Sequence, residues 1–135
     1  MNKIFLDTNV LLYLSATDEI EKMNKAKIVL QKYDNIIIST QVLFEFSNIM
    51  RKKLKQDYHD IDQALQEFHT IFNIAIISYD TLRNALKIAA KYKYSFPDSL
   101  IVATALEYNC DILFSEDMHN DQMIENSLKI VNPFK

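Results

Sequence analysis

The sequence predicts an α/β fold, a three-layer sandwich in which helices flank a mostly parallel sheet of about five strands. Short apolar runs rich in β-branched residues alternate with longer segments whose apolar residues recur every three or four positions. The chain has 135 residues, enough for one hydrophobic core, and no stretch has the composition of a linker. We therefore expect one domain over residues 1–135, with parallel strands ending along one edge of the sheet.

Five short apolar runs are the predicted strands. β-Branched side chains favour an extended backbone, and unbroken apolar character is typical of strands covered on both faces. Each run is followed by a polar or turn-forming residue, which marks the end of the strand. The predicted strands cover residues 4–6, 36–38, 74–77, 112–114 and 128–131.

Helical periodicity fills the segments between these runs. Asn9 is the better-placed N-cap for a helix from Val10 onward, and a second helix is predicted over residues 20–31. Ser39 or Thr40 caps a long third helix, and a fourth covers residues 60–72. The third helix has an apolar stripe formed by Val42, Leu43, Phe46, Ile49, Met50 and Leu54.

Two more helices complete the predicted order. Asp80 caps the first of them, whose apolar side carries Leu82, Ala85, Leu86 and Ala89. Pro97 opens the second, over residues 97–108, because proline is favoured in the first turn of a helix. This last helix is apolar almost all round, so we expect it to be central and buried.

The chain contains no glycine, which excludes several classes of protein. Phosphate-binding loops of the P-loop and dinucleotide-binding types need glycine so that backbone N–H groups can approach phosphate. Left-handed turn positions must also fall to asparagine and aspartate, the next most tolerant residues. We expect such turns at Asp34 and Asn35, Asn73, Asn109, and Asn120 and Asp121.

The charge balance and the scarcity of cysteine bound the function further. A formal net charge of −3 is not typical of a protein that binds nucleic acid through charge alone. The single cysteine, Cys110, and three scattered histidines exclude a cysteine-rich zinc site. A cationic cluster ends the third helix, where it either complements the helix dipole or contacts a phosphate backbone: Arg51, Lys52, Lys53 and Lys55.

No sequence feature predicts a membrane partner. Asp7 interrupts the apolar N-terminal run that a signal peptide would require, and no segment reaches the roughly 18 apolar residues of a membrane span. We therefore expect a cytoplasmic protein.

Four acidic residues lie where strands give way to turns or in the first half of a helix. Asp7 and Asp117 follow two predicted strands, Asp98 lies in the first turn of the last helix, and Glu45 borders the apolar stripe of the third helix. Such positions allow the four carboxylates to converge at one edge of the sheet. Neighbouring Glu116 is expected to point to solvent.

Two residues near Asp117 have other expected roles. Asp121 is predicted to make the turn that glycine would otherwise make, and His119 to lie at the surface or at the rim of the site. A contact between His119 and a phosphate remains open at this point.

Carboxylates gathered at close range repel one another, and a fold that collects them normally holds a divalent cation. Oxygen ligands of this kind select Mg²⁺ or Mn²⁺, which can assist the hydrolysis of a phosphodiester. We expect Asp7, Asp98 and Asp117 to bind metal, directly or through water, and Glu45 to hold or deprotonate a water of the metal. Thr8 and Ser115 could hydrogen-bond these groups.

These residues together resemble the PIN-domain ribonucleases, specifically the VapC-type toxins of bacterial toxin–antitoxin pairs. The resemblance covers essentially the whole chain and is carried by residues 4–9, the Glu45 helix, residues 96–105, residues 112–118 and residues 130–134. It implies a parallel sheet of about five strands and Mg²⁺- or Mn²⁺-dependent endonucleolytic cleavage of RNA. It also implies inhibition by a cognate antitoxin and a homodimer.

The resemblance carries the acidic site onto Asp7, Glu45, Asp98 and Asp117, supported by Thr8, Asn9 and Ser115. One departure concerns the loop after Asp117. Close relatives often have a glycine there, whereas this chain has Asn120 and Asp121, which bears on the shape of the loop and on substrate fit.

Two alternatives remain from the sequence alone. The first is a Mg²⁺-dependent phosphohydrolase or receiver-like domain in which Asp7 is the nucleophile or phosphoacceptor. Position 9 is asparagine where that class would need a second acid beside Asp7, and no matching lysine motif follows. The second is a non-catalytic PIN-like module that binds RNA or protein, although a degenerate site would be expected to lack at least one of the acids.

Overall fold

A computed structural model describes residues 2–15 and 17–135 of the chain. In this part of the chain six strands form one sheet, in the order β3-β2-β1-β4-β6-β5. The strands are β1 (Lys3–Leu6), β2 (Asn35–Ser39), β3 (Asn73–Ala75), β4 (Ile112–Phe114), β5 (Met123–Ile124) and β6 (Leu128–Val131). All neighbouring strands pair in parallel except β5 and β6, which pair antiparallel.

Helices connect the parallel strands and flank the sheet. They are α1 (Thr8–Ser15), α2 (Ile20–Lys32), α3 (Thr40–Lys52), α4 (Tyr58–Ile71), α5 (Tyr79–Tyr92) and α6 (Phe96–Glu107). This arrangement confirms the predicted α/β class and the mostly parallel sheet between helices. None of the helices in residues 2–15 and 17–135 has both the length and the apolar character that a membrane crossing demands.

The core confirms two sequence predictions, a strand covered on both faces and a buried last helix. The central strand β1 buries Ile4, Phe5 and Leu6 completely, as expected for a strand covered on both faces. Helix α6 is buried from Ser99 through Ala105, which agrees with its almost continuous apolar sequence. The sheet and α6 therefore form the rigid base on which the loops at the strand ends rest.

The structure differs from the predicted elements at several boundaries. The sheet has a sixth strand, β5, which the sequence did not predict, because two residues are too few to give a detectable period. Strand β3 ends at Ala75, and the following Ile76 is 71% exposed. Ser78 caps α5 in a capping box with Thr81, so Asp80 is not the cap but lies in the first turn.

Helix α5 also buries a different face from the predicted one. Thr81, Ala85 and Ile88 are buried, whereas Leu82 and Leu86 are 40% and 60% exposed. The hydroxyl of Thr81 donates a hydrogen bond to the Glu107 carboxylate. Because the hydroxyl has this partner, a polar residue can be buried on the inner face of α5. Leu82 and Leu86 are thereby left on the outer side of α5.

Left-handed backbone conformations occur without any glycine. Within the described residues, positive φ angles are found at Lys55, Lys93, Asn109, Asp121, Glu125 and Asn126. Asn109 and Asp121 confirm two of the predicted turns, and Asp121 has the φ of 68° that glycine would otherwise supply. Residues 34, 35 and 73 do not adopt this conformation, so those predictions were wrong, whereas the turn at Asn120 and Asp121 has its left-handed residue at Asp121.

Candidate active site

The central strands β1 and β4 present their carboxyl ends side by side. The sheet order reverses here, because the chain passes from β1 to β2 on one side and β4 lies on the other. The backbone N–H of Asp7 donates to the carbonyl of Phe114 at 3.0 Å, which fixes the two strand ends together. Open parallel sheets bind ligands at such a reversal point.

A cleft of about 340 Å³ opens at this point. All four acids predicted from the sequence line it, so the structure brings the whole set together. The remaining lining residues come from α1 and α3, and the full set is Asp7, Thr8, Asn9, Leu12, Glu45, Asn48, Ile49, Asp98 and Asp117.

Asp7 is the most buried of the four acids, at 6% exposure. One carboxylate oxygen accepts from the Thr8 backbone N–H at 2.7 Å, and the other accepts from the Ser115 hydroxyl at 2.8 Å. Burial raises the pKa of Asp7 to about 6, against these two hydrogen bonds and with help from the charges of Asp98 and Glu45. The ionised form is thus held in place at a site that disfavours its charge.

Glu45 is tied to both sides of the cleft. The Thr8 hydroxyl donates to one carboxylate oxygen at 2.6 Å, and the Gln41 amide donates to the other at 3.3 Å. The same amide nitrogen donates to the carbonyl of Pro97 at 2.9 Å, which joins α3 to the start of α6. Both carboxylate oxygens of Glu45, at the border of the apolar stripe, therefore have hydrogen-bond partners.

Asp98 is partly buried in the first turn of α6. The Ser95 hydroxyl caps this helix by accepting from the Asp98 backbone N–H at 3.3 Å. Burial raises the pKa of Asp98, and the charge of Asp117 raises it further, although a hydrogen bond with Ser95 acts in the opposite direction. The negative charge of Asp117 therefore disfavours ionisation of Asp98, just as the charge of Asp98 disfavours ionisation of Asp7.

Asp117 is exposed and lies in the loop that follows β4. Its carboxylate accepts from the Asn9 side-chain amide at 3.1 Å, and its backbone N–H donates to the Ser115 hydroxyl at 3.3 Å. The prediction that Asn9 caps a helix was wrong, because α1 begins at Thr8 and Asn9 lies inside its first turn. Asn9 instead connects α1 to the Asp117 loop.

The three neighbours of Asp117 were only partly anticipated. Glu116 does not point to solvent, because its carboxylate accepts hydrogen bonds from Tyr13 and Lys22. His119 is exposed, which agrees with the predicted surface position, and its ring lies 5.6 Å from that of Tyr94. Asp121 forms the predicted turn and lies 3.6 Å from the ammonium of Lys129.

Asn48 and Ser95 are cleft or supporting residues that sequence analysis missed, whereas the spacing of four residues already places Gln41 on the helical face of Glu45. Asn48 lies three residues after Glu45, so the same helical spacing could have placed it on this face. Ser95 carries an N-cap signal, three residues before Asp98.

The donor chemistry of the cleft fits a hard divalent cation. Residues 2–15 and 17–135 contain no group of three or more histidine, cysteine, aspartate or glutamate side chains already spaced to hold a metal ion. Mg²⁺, however, commonly takes only one or two carboxylates directly and keeps several waters, so four converging oxygen donors suit it. A cation would also relieve the mutual repulsion that contributes to the raised pKa values of Asp7 and Asp98.

The sheet order and the cleft define an α/β protein with a carboxylate-lined site at the reversal point of a parallel sheet. The chain belongs to the PIN domain family, which matches residues 4–123. No curated protein matches the sequence.

Several solved structures share the fold. The chain is similar to a toxin–antitoxin complex from Klebsiella pneumoniae, with 23% identity and a TM-score of 0.73 over 97% of this chain and 98% of that one. It resembles the sarcin–ricin-loop-cleaving toxin VapC20 of Mycobacterium tuberculosis, with 20% identity and a TM-score of 0.70 over 85% and 92% of the two chains. DNA-bound VapBC from Salmonella typhimurium has 15% identity and a TM-score of 0.65, over 96% and 97%.

Proposed function

We propose that this PIN-domain protein is a Mg²⁺- or Mn²⁺-dependent endoribonuclease and the toxin of a toxin–antitoxin pair. The observation that supports it most is the convergence of four carboxylates in one cleft, where Asp7 and Asp98 have raised pKa values. A fold has no structural reason to gather acids that repel one another, so their convergence favours a catalytic role.

The proposed roles follow from the contacts of each acid. Asp7, Asp98 and Asp117 would hold the cation, with Ser115 and Asn9 orienting the carboxylates of Asp7 and Asp117. When bound, the cation supplies Lewis-acid polarisation of the phosphodiester and neutralises charge on the leaving oxygen.

Glu45 is the proposed general base. The Thr8 hydroxyl and the Gln41 amide both donate to its carboxylate, so its two oxygens are held at the wall of the cleft. A carboxylate fixed within reach of a water in the cleft can accept its proton as the water attacks phosphorus.

A cognate antitoxin is the proposed partner. The similar structures include a toxin–antitoxin complex from Klebsiella pneumoniae and VapBC from Rickettsia felis and Salmonella typhimurium. RNA is the proposed substrate, and the similar VapC20 is described as cleaving the sarcin–ricin loop.

A homodimer is also proposed, through the apolar outer face of α5. Tyr79, Leu82 and Leu86 share one side of this helix and are 74%, 40% and 60% exposed. The Ile77 backbone N–H donates to the Thr40 hydroxyl, which brings the start of α5 next to the start of α3, where Phe44 is 70% exposed. Exposed apolar side chains grouped in this way are typical of an interface.

The nuclease proposal is tested with Asp7→Asn and Asp98→Asn in a cleavage assay with purified protein, RNA and Mn²⁺ or Mg²⁺. Both variants should lose metal-dependent cleavage while remaining folded. Asp121→Asn is the matched control: it makes the same chemical change in a nearby loop, its side chain is 68% exposed, and asparagine tolerates its positive φ.

The outcomes distinguish the alternatives. A fully active Asp98→Asn variant would contradict the assigned site. A phosphorylated Asp7 would support the phosphohydrolase, whereas wild-type protein that binds RNA without cutting it, and whose cellular toxicity is unaffected by Asp7→Asn, would support the non-catalytic module.

A further inference from the structure

Lys22, Glu116 and Tyr13 form a hydrogen-bonded triad beside the cleft. Lys22 and Tyr13 donate to separate oxygens of the Glu116 carboxylate, at 2.5 and 2.7 Å. The Lys22 ammonium also donates to the Tyr13 hydroxyl at 3.0 Å, so each member contacts the other two. The triad joins α1 and α2 to the loop after β4, across 103 residues of sequence between Tyr13 and Glu116.

The triad is partly shielded from water. The side chains of Lys22 and Glu116 are 32% and 23% exposed. The ring of Phe134 packs edge-on against Tyr13, with centroids 4.8 Å apart, and the Lys22 ammonium lies 4.9 Å from the Tyr13 centroid. Partial burial opposes the charge of Glu116, but the hydrogen bonds from Lys22 and Tyr13 outweigh it and lower the pKa of Glu116.

A short chain of contacts connects this triad to Asp117. The Glu116 backbone N–H donates to the Asn9 side-chain oxygen at 3.4 Å, and the amide of the same side chain donates to the Asp117 carboxylate at 3.1 Å. Glu116 thus anchors its segment through its side chain, while the next residue extends its carboxylate into the cleft.

The backbone of Asp117 is held by a hydrogen bond to the Ser115 hydroxyl and by the buried Met118 that follows it, but its carboxylate has few contacts of its own. Asp117 is exposed and lies outside the regular elements, between β4 and β5. Among the described residues its carboxylate has one hydrogen-bond partner, Asn9. The charge of Asp98 repels it, so a loop free to move would carry Asp117 away from the other acids.

We propose that the Lys22–Glu116–Tyr13 triad is a positioning device that holds Asp117 in the cleft and thereby sets the affinity for the cation. The inference rests on the proposed function, in which Asp117 is a metal ligand. Residues that orient metal ligands without touching the metal typically contribute 10–100-fold to metal affinity.

The chain contains a second triad of the same composition, which provides a matched control. Lys91 and Tyr92 both donate to Glu125 at 2.6 Å, and Glu125 lies in the turn between β5 and β6. None of these three residues lines the cleft. Glu125→Gln therefore removes the negative charge from a Lys–Glu–Tyr contact that lies outside the cleft.

The experiment compares Glu116→Gln, Glu125→Gln and Asp117→Asn. Mn²⁺ binding is measured by electron paramagnetic resonance of the free ion, and thermal unfolding is recorded with and without Mn²⁺. RNA cleavage is then followed at several Mn²⁺ concentrations. We expect Glu116→Gln to weaken Mn²⁺ binding about 10-fold or more, with kcat recovered at high Mn²⁺ and KM for RNA unchanged. Glu125→Gln should leave Mn²⁺ binding unchanged.

The possible failures can be told apart. If Asp117→Asn weakens Mn²⁺ binding and Glu116→Gln does not, the positioning role is overturned and the proposed nuclease site stands. If Asp117→Asn itself leaves Mn²⁺ binding unchanged, the assignment of Asp117 as a ligand fails, and the positioning role fails with it.

Milder variants keep the test sound if Glu116→Gln does not fold. Tyr13→Phe removes one hydrogen bond of the triad and should shift Mn²⁺ affinity in the same direction by a smaller factor. Lys22→Arg keeps the charge and the donors, and should retain more Mn²⁺ affinity than Lys22→Met. Equal Mn²⁺ affinity in wild type, Tyr13→Phe and Lys22→Met would overturn the inference.

Discussion

Asp7 combines deep burial with hydrogen bonds to both carboxylate oxygens. Its 6% exposure raises its pKa to about 6, while Thr8 and Ser115 hold the ionised form in position. Because the pKa in the folded protein lies above the ordinary value of 3.8, the folded state binds a proton more tightly than the unfolded chain does. The stabilising contribution of this proton is complete below pH 3.8 and is lost as the pH rises through about 6.

Asp7→Asn should therefore stabilise the metal-free protein at neutral pH. A shift of about two pKa units corresponds to about 3 kcal/mol, which is the upper bound on the gain in the free energy of unfolding above pH 6. The gain should vanish at pH 3.5. Urea unfolding at pH 3.5 and 7.5 measures it, with the exposed Asp62→Asn as control. Equal stability of Asp7→Asn and wild type at pH 7.5 would contradict a free-energy cost of ionising Asp7 in the folded protein.

At this scale the sequence anticipated the acids and their partners Thr8, Asn9 and Ser115, but not the contacts of Glu116. Asp7 and Asp117 could be located because each follows a recognisable strand, and Asp98 because proline marks a helix start. Glu116 was misjudged because side-chain alternation was extended beyond Phe114, where β4 ends. Its partner Lys22 lies 94 residues away in sequence, and no local pattern connects the two.

Helix α3 contributes two functional features at its opposite ends. Near its start it presents Glu45, which Gln41 holds, to the cleft, and at its end it carries the cationic cluster. Arg51 is engaged there, since its guanidinium lies 4.5 Å from the Tyr58 ring centroid. In the part of the chain that the structure describes, neither Lys52 nor Lys53 has a side-chain hydrogen bond or ion pair, so both charges remain available to a phosphate backbone.

The double variant Lys52→Ala/Lys53→Ala tests that contact. If both lysines neutralise RNA phosphates, the dependence of log K on log salt should become shallower by about 0.7 per lysine, the value for single strands. Fluorescence anisotropy of labelled RNA without metal measures the slope. Lys27→Ala/Lys87→Ala removes the same charge from two exposed positions on α2 and α5, and should change the slope less. An unchanged slope in Lys52→Ala/Lys53→Ala would contradict the RNA contact and would favour the other role, in which the two lysines complement the helix dipole.

Helix α5 ends in a residue that is strained by its side chain. Lys93 has a φ of 63° at the C-cap, a conformation that costs an ordinary L-residue roughly 1–2 kcal/mol. Lys93→Gly should remove this strain, and after the extra entropy cost of glycine the net gain should be up to about 1 kcal/mol at 25 °C. Urea unfolding measures it. Lys87→Gly, inside the same helix, should instead destabilise by about 1 kcal/mol.

Elements with a long, uniform pattern were predicted best. Helix α6 and strand β1 were identified correctly because their sequences are apolar wherever they are buried. Helix α5 was identified as a helix, but its buried face was not. Leucine predicts burial on average, whereas here the small Ala85 and the hydrogen-bonded Thr81 face inward and Leu86 faces outward.

The exposed leucines of α5 belong to the proposed homodimer interface. In a homodimer joined through this face, Leu86→Glu would place a charge in the interface and should give a monomer in analytical ultracentrifugation. Ile28→Glu is the matched control, because Ile28 is 58% exposed against 60% for Leu86 but lies on α2. A dimer that survives Leu86→Glu, or a monomeric wild type at micromolar concentration, would contradict the proposed interface.

The fold class was predictable because alternation of strands and helices is a property of the whole chain. Strand β5 was not predictable, because two residues are too few to show a period. The proposed dimer interface was not predictable either, because it depends on which residues come together on the surface of the folded chain. The cleft was predictable only in part. Its acids follow from topology, but their spacing depends on the loops that carry them.

The lack of glycine also bears on how this protein responds to heat. Glycine would relieve strain at left-handed turns but would add conformational freedom to the unfolded chain, and the free-energy cost of that freedom grows in proportion to absolute temperature. Residues such as Lys93 and Glu125 accept strain instead, which is largely independent of temperature. The stabilisation gained by Lys93→Gly should therefore shrink on warming. The strain energy that the variant removes stays constant, whereas the entropy cost that glycine adds grows with temperature.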